Sequence, residues 1–373
     1  MKLLNSAYYK KLESYSLIIF ILYNMKIISI VGTRPQFLKL AMLSKEFEKH
    51  ENIIHKIIHS GQHYDDEMSS DIFNTLNIGK PDYNLTLNNK SSINNISNMM
   101  INIENILLCE NPDKIIVFGD CDTTIAGALV SKKLKIFLIH IESGMRSYNK
   151  HMPEELNRLM TDHISDLLLC STYDSIKNLE KENLINNVYY VGNLQLELLE
   201  YCCNNYNNIS ILNENNLKEN NFILLTIHRE YNTNVFMINK IFNELNKLNK
   251  KIIFPIHPRT RKIIDENHIN LPKNIILIKS VNYLQMTILE RNCLLIITDS
   301  GGIQMEAWYL NKKCIIMRSE TEWIEPLNNN NNILYNYNVP LDEFINMFVK
   351  IKIDRQDIMI NASKLIIDII QIS

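Results

Sequence analysis

The sequence predicts an α/β protein built of two doubly wound, Rossmann-like domains that face each other across a cleft. Three observations carry this. Short apolar, β-branched runs alternate with helical patterns along the chain. The rhythm lapses in an Asn-dense stretch over 201–221 and then resumes. The chain has 373 residues, enough for two domains of roughly 150–200 residues each.

In the first half, Ile27–Val31, Ile53–Ile58, Lys114–Phe118 and Ile136–Ile141 read as buried parallel strands. Gln36–Lys49, Thr123–Lys133 and Glu154–Cys170 read as helices between them. In the second half, Phe222–Thr226, Lys251–Ile256, Ile275–Lys279, Cys293–Thr298 and Cys314–Met317 read as a second set of strands. Strand–helix alternation implies right-handed βαβ units on parallel sheets. The expected division is a first domain over 25–200 and a second over 201–354. Residues 1–24 carry the apolar run SLIIFILY, too short for the roughly 20 residues a membrane span needs. No small-residue cleavage site follows it. They read as an extension ahead of Met25, as from an upstream start codon, rather than a targeting segment.

Composition narrows the function. Hydrophobic residues are 46% and charged residues 21%, as in an ordinary soluble domain. The net charge is −2, without the basic footprint of a nucleic-acid binder. An anionic ligand must then be held by a few placed cations and helix ends. The seven cysteines are scattered, with no metal-ligand spacing. They read as buried, reduced thiols of a cytoplasmic protein. No metal, cofactor, nucleic-acid or membrane partner is expected.

The candidate chemistry falls at predicted strand ends, where ligands bind in such sheets. The first strand ends in Gly32-Thr33-Arg34-Pro35-Gln36. This places Arg34 and Lys39 near a helix N-terminus, which favours an anion. The third ends in Gly119-Asp120-Cys121-Asp122-Thr123-Thr124, where the Thr pair is a candidate helix cap. The fourth leads to Glu142-Ser143-Gly144-Met145-Arg146 and then Met152-Pro153-Glu154-Glu155, with Arg158 one turn on. Glu154 and Arg158 have the i,i+4 spacing of a helix-surface ion pair. Asp120, Glu142 and Glu154 leave neighbouring strand ends, and clustered carboxylates raise one another's pKa toward the range useful for proton transfer. The second half supplies Thr226-Ile227-His228 and His257-Pro258-Arg259. Its sharpest motif is Asp299-Ser300-Gly301-Gly302, followed by Glu306 and, past the next strand, Arg318. A Ser-Gly-Gly turn opening a helix aims free N–H groups at a phosphate. Arg318 can neutralise the phosphate by a charge-assisted pair. Glu306 suits sugar hydroxyls rather than phosphate.

Together the blocks GTRPQFLKLA, SGQHYD, FGDCDTT, HIESGMRS, MPEELNRLMTDHISD, VGN, TIHRE, TDSGGIQMEA and MRSETEW resemble the non-hydrolysing UDP-N-acetylglucosamine 2-epimerases, in family order over about 25–335. That family shares its two-domain fold with GT-B glycosyltransferases. The resemblance implies that Arg34, Ser300, Gly301, Gly302 and Arg318 hold the uridine diphosphate. Glu306 takes the ribose hydroxyls, with Lys39 and His257 beside the site. Asp120, Glu142 and Glu154 are the implied catalytic carboxylates. Arg158 anchors them, and His228 assists departure and return of UDP. A C-terminal helix over about Arg355–Ile372 crosses back to the first domain, and two chains form a homodimer. The implied reaction eliminates UDP to a 2-acetamidoglucal and re-adds it.

Several positions depart from the commonest pattern. NKHMPEELNR is shorter before its proline. Asp65 stands where a second Gln often follows GQH. Leu85–Ser92 lacks the Arg/Gln stretch that binds an activating second UDP-sugar. TEWIE replaces TERPE. These changes resemble a branch acting on modified sugars such as UDP-diacetamido-uronates or UDP-6-deoxy-L-hexosamines. A hydrolysing 2-epimerase, a GT-B glycosyltransferase and a non-enzymatic nucleotide-sugar sensor are the competing readings.

Overall fold

The computed structural model describes residues 24–62, 76, 78–87, 91–353 and 361–373. Two all-parallel sheets organise them. The first, of seven strands, runs in the order β3-β2-β1-β4-β5-β6-β7. Its strands are β1 (Met25–Val31), β2 (Ile53–His59), β3 (Tyr83–Asn84), β4 (Lys114–Phe118), β5 (Phe137–Ile141), β6 (Leu167–Cys170) and β7 (Val188–Tyr190). The second, of six, runs β10-β9-β8-β11-β12-β13. It comprises β8 (Phe222–Thr226), β9 (Lys251–Pro255), β10 (Ile275–Ile278), β11 (Leu295–Thr298), β12 (Cys314–Ile316) and β13 (Asn332–Leu334). This is the two-unit α/β architecture that the alternating pattern predicts.

Both sheets reverse winding direction between their first and fourth strands in sequence order, β1/β4 and β8/β11. A crevice opens at such a switch point, beyond the carboxyl ends. Register keeps those ends level: Ile30 pairs with Val117, Phe118 with Ile141, and Thr298 with both Thr226 and Ile316. The motifs that follow each strand are therefore brought to one edge.

The helix Leu194–Asn205 joins the halves. It packs on helices Arg34–Phe47 and Ala362–Ile372 on one side and on Tyr283–Asn292 and Gly301–Tyr309 on the other. Met145, Leu196, Leu199, Met305 and Trp323 bury one another where these elements meet. The C-terminal helix Ala362–Ile372 packs into the core of the first sheet. Ser363 begins it by donating N–H and Oγ–H to Glu197 at 2.8 and 2.6 Å.

The structure corrects the predicted elements in several places. The helix expected over Glu154–Cys170 ends at Ile164, and Leu167–Cys170 is strand β6. The C-terminal helix starts at Ala362, after a non-helical Asn361, not at Arg355; residues 354–360 lie outside the described set. So do residues 1–23 of the expected extension and His63, Tyr64 and Asp65. Strands β3, β7 and β13 and helix Ser92–Glu110 are absent from the predicted set. Cys109 is exposed, against the expectation of buried thiols, whereas Cys170, Cys202, Cys293 and Cys314 are buried. No helix among the described residues is long and apolar enough to cross a membrane.

Candidate active site

The floor of the cleft is built by side chains that tie one strand end to the next. Gln36, at the start of helix Arg34–Phe47, accepts from the Gly32 N–H at 2.7 Å. It donates to the Phe118 carbonyl at 2.7 Å and to Thr124 Oγ1 at 3.0 Å. Gln62 accepts from Thr123 N and Oγ1 at 2.9 and 2.7 Å. The ends of β1, β2 and β4 are thus laced together. The Thr pair does not cap helix Asp122–Lys133, whose N-cap is Cys121. Thr124 instead donates back to the Phe118 carbonyl at 2.6 Å.

Two carboxylates stand on this floor. Gly119, with φ of +59°, makes the turn that presents Asp120. Arg158 donates to Asp120 Oδ2 from Nε at 2.9 Å and Nη2 at 2.5 Å, and from Nη1 to Glu155 at 2.9 Å. Glu142 follows β5 with φ of +69°. For a residue with a side chain this left-handed backbone costs on the order of 1 kcal/mol, a strain typical of functional positions. Glu142 forms a largely buried ion pair with Lys39. A Cβ at Gly119 would lie 3.7 Å from Glu142 Oε1 and 3.8 Å from Lys39 Nζ, so both turns face one space.

The predicted Glu154–Arg158 pair does not form. Arg158 reaches Asp120 and Glu155, and the Glu154 carboxylate makes no hydrogen bond or ion pair among the described residues. Pro153 starts the helix, which turns Glu155 inward and leaves Glu154 half-exposed. Glu155 also accepts from Ser147 N and Oγ and Tyr148 N. Burial opposes its ionisation, but these donors and Arg158 outweigh burial and hold its pKa below the usual range.

The second sheet supplies the opposite wall. Helix Gly301–Tyr309 opens after Ser300, whose hydroxyl makes no capping bond. The backbone is approached closely here. A Cβ on Gly301 would sit 2.9 Å from Glu322 Oε1 and 3.2 Å from Trp323 Nε1, and one on Gly302 would sit 2.7 Å from Gln195 Nε2. Glycine keeps the first N–H groups of this helix open, where its dipole favours an anion. Arg318 is buried and pairs with Glu322 at 2.9 Å. Among the described residues its Nη1 has no hydrogen-bond partner. Asp299, fully buried, accepts from the His228 and Arg229 N–H groups and from Asn232. His228 Nδ1 also lies 3.1 Å from it. The His257 ring is 6.2 Å from that of His228, and its Nδ1 caps helix Pro258–Glu266.

The two walls meet. The charges of Arg158 and Glu322 act on one another, and Asn149 reaches Glu320 at 3.1 Å. Glu306 accepts from Gln195 at 2.9 Å and from Tyr283 OH at 2.8 Å. Glu290 is buried beside it, both oxygens lacking a donor among the described residues. Burial and the neighbouring Glu306 charge push the Glu290 pKa well above the ordinary range, partly offset by Arg34. The folded protein therefore keeps a proton here that the unfolded chain loses near its ordinary pKa of about 4.3. Stability must fall as pH rises from that value through the raised one. Glu290→Gln is expected to unfold at a higher temperature than the parent at pH 8, the gap closing by pH 4. A melting-temperature series over pH checks this, and a pH-independent gap overturns it.

The predicted residues Arg34, Lys39, Asp120, Glu142 and Arg158 thus lie on one wall, and His228, His257, Ser300, Gly301, Gly302, Glu306 and Arg318 on the other. Sequence reasoning missed Gln195, Tyr283 and Glu290, which no strand-end motif marks. Among the described residues no cluster of His, Cys, Asp and Glu is arranged to hold a metal ion.

This geometry has counterparts. The profile of a family described as UDP-N-acetylglucosamine 2-epimerase matches residues 45–348. A Methanococcus maripaludis protein named UDP-N-acetylglucosamine 2-epimerase homolog is 43% identical, over 84% of this chain and 89% of its own length. The UDP-2,3-diacetamido-2,3-dideoxy-D-glucuronate 2-epimerase of Pseudomonas aeruginosa is 36% identical, over 83% and 88%. The crystal structure of Methanocaldococcus jannaschii UDP-GlcNAc 2-epimerase, in complex with UDP-GlcNAc and UDP, superimposes with a TM-score of 0.85. It is 35% identical and covers 94% of this chain and all of that one. With the profile spanning most of the chain, the protein belongs to the UDP-N-acetylglucosamine 2-epimerase family.

Proposed function

We propose that the protein interconverts UDP-N-acetylglucosamine and UDP-N-acetylmannosamine without releasing the sugar. The observation that carries this is the pairing of two cation-anchored carboxylates, Asp120 and Glu142, with a glycine-flanked helix N-terminus and a buried, half-satisfied Arg318 across the same cleft.

The chemistry follows from what C2 of an N-acetylhexosamine lacks. No carbonyl adjoins that carbon, so its proton is not acidic enough for simple deprotonation. Breaking the C1–O bond to UDP while a carboxylate removes the C2 proton solves this. The bond electrons leave with UDP, and the C–H pair becomes the C1=C2 double bond of a 2-acetamidoglucal. Returning UDP to C1, with a proton delivered to the other face of C2, gives the epimer. Departure of a diphosphate needs donors where negative charge builds up. The Ser300–Gly302 turn, Arg318, Arg34 and His228 are assigned that work, Glu306 the ribose, and His257 the rim. Proton removal and return need a carboxylate on each side. Asp120, Glu142 and the half-exposed Glu154 are assigned to it, with Arg158 and Lys39 setting their charge and position. The enzyme is read as a cytoplasmic homodimer feeding glycan assembly.

A second substrate has a specific observation in its favour. The Pseudomonas relative acts, by its name, on a diacetamido-uronate. NMR of the protein with UDP-N-acetylglucosamine in D2O separates the readings. The expected result is UDP-N-acetylmannosamine with deuterium at C2. Free N-acetylmannosamine would instead make the enzyme a hydrolase. No conversion and no exchange would overturn the simple substrate and leave the diacetamido sugar as the one to add next.

A further inference from the structure

Beneath the two carboxylates lies a charged network that the reaction scheme above does not use. His140, on β5, and Asp162, on helix Pro153–Ile164, are both buried. His140 Nδ1 meets Asp162 Oδ1 at 2.6 Å, and Nε2 meets the Gly119 carbonyl at 2.8 Å. Asp162 Oδ2 accepts from the Gly144 N–H at 3.1 Å and from Arg146 Nη1 at 2.6 Å. Arg146 is held in turn by Glu182, through Nε at 2.7 Å and Nη2 at 2.8 Å.

The bonding partners fix the proton positions. A carbonyl oxygen only accepts, so Nε2 carries a hydrogen. Asp162 already accepts from a peptide N–H and a guanidinium, which favours its carboxylate form. Burial opposes that, yet His140 and Arg146 outweigh burial and lower its pKa. Nδ1 meets that carboxylate, so both ring nitrogens of His140 face acceptors inside the protein.

The pair holds two turns at once. Gly119 directly precedes Asp120. Residues 140 and 144 bracket Glu142, and Asp162 grips both, one by its side chain and one by its backbone. A single buried pair thus links the turn that presents Asp120 to the strained turn that presents Glu142. Backbone hydrogen bonds from Glu142 N and Ser143 N to the Leu169 carbonyl, at 3.0 and 3.2 Å, and from Gly119 N to the Ile141 carbonyl, at 2.9 Å, hold the same turns along the sheet, and the buried pair adds the side-chain link beneath them.

We propose that His140 and Asp162 are positioning residues that fix the spacing of the two proton-carrying turns across C2 of the sugar. This rests on the assignment of Asp120 and Glu142 as the proton carriers. Displacing a reacting group by about 1 Å is worth on the order of 100-fold in rate. His140→Leu, which fills the space and donates nothing, should lower kcat about 100-fold. KM and the Kd for UDP, set largely by the second sheet, should stay within about twofold. His140→Gln, whose amide reaches the Gly119 carbonyl but not Asp162, should recover about tenfold of the loss. Asp162→Asn, which keeps the shape, serves if the leucine variant does not fold, and should lower kcat with the same unchanged UDP affinity. A crystal structure of a folded variant should show the Gly119 carbonyl turned.

A leucine or asparagine variant with parental kcat overturns the proposal. So does a loss of kcat matched by equal loss of UDP affinity, or one that glutamine does not relieve. Glu142→Gln runs alongside. Should it retain full turnover, the assignment of the proton carriers fails. Should it be inactive while the His140 and Asp162 variants stay active, only the positioning proposal fails.

Discussion

Glu142→Gln is expected to lower kcat by about 10³-fold or more while changing the Kd for UDP by less than about twofold. Positioned acid–base groups contribute roughly 10²–10⁴ in rate, and the amide cannot take or give the C2 proton. The substitution keeps shape, so the left-handed backbone at this position is met equally well. What it removes is the countercharge of Lys39, which is almost wholly buried. Some loss of stability, about 1–3 kcal/mol, should accompany the loss of rate. The diphosphate is proposed to bind Ser300, the two glycines and Arg318, on the other wall, so binding should survive. Turnover measured by NMR beside UDP titration calorimetry checks both halves. A variant within tenfold of parental kcat would remove Glu142 from the chemistry, and a parallel fall in UDP affinity would make it a binding residue.

Asp299→Ala should cost about 3 kcal/mol of stability and lower the melting temperature by about 6–12 °C, the sensitivity of a domain of this size. The carboxylate is fully buried and satisfies the peptide N–H groups of His228 and Arg229 and the amide of Asn232. Alanine strands all three donors. Burial raises the Asp299 pKa, but His228, Asn232 and Arg229 outweigh it and bring it below the ordinary value. A depressed carboxyl stabilises the fold above its unfolded pKa of about 3.9. That contribution is lost as pH falls through the folded value. The parent and variant should therefore differ at pH 7 and converge in strong acid. Calorimetric scans at the two pH values decide the matter. Equal melting temperatures at pH 7 would show that the buried donors find other partners. The variant should also bind UDP weakly, because His228 and the turn before Ser300 share this anchor.

What could be read from the sequence follows physical lines. Strands β1, β4, β5, β8 and β11 are short apolar runs rich in β-branched residues and followed within two residues by Gly, Glu, Asp or His, and they were legible along with the motifs after them. Strand β6 was not. Its Leu167-Leu168-Leu169-Cys170 follows an amphipathic helix after only Ser165 and Asp166, and a doubly buried strand has the same apolar signature as a buried helix. Strand β13 is three residues emerging from an Asn run, and β3 is two. The side chains near each strand end could be named because one sheet sets them. Gln195, Tyr283 and Glu290 could not, because they meet Glu306 or Gly302 only where helix Leu194–Asn205 packs between the sheets. Spacing suggested Glu154 as the partner of Arg158, whereas Glu155 and a residue 38 positions away hold it.

The C-terminal helix returns to the sheet from which the chain set out, and Lys114 at the foot of β4 closes on the last turn, through the Ile370 and Ser373 carbonyls at 2.6 and 2.7 Å. The polypeptide therefore passes between the two halves twice, once after residue 205 and once before residue 362. A body joined to another at one point can swivel in every direction. Joined at two, it keeps one easy rotation, about the line through both joints. Two crossings therefore restrict relative movement of the halves more than one would, and helix Leu194–Asn205, packed against helices of both, stiffens the first of them.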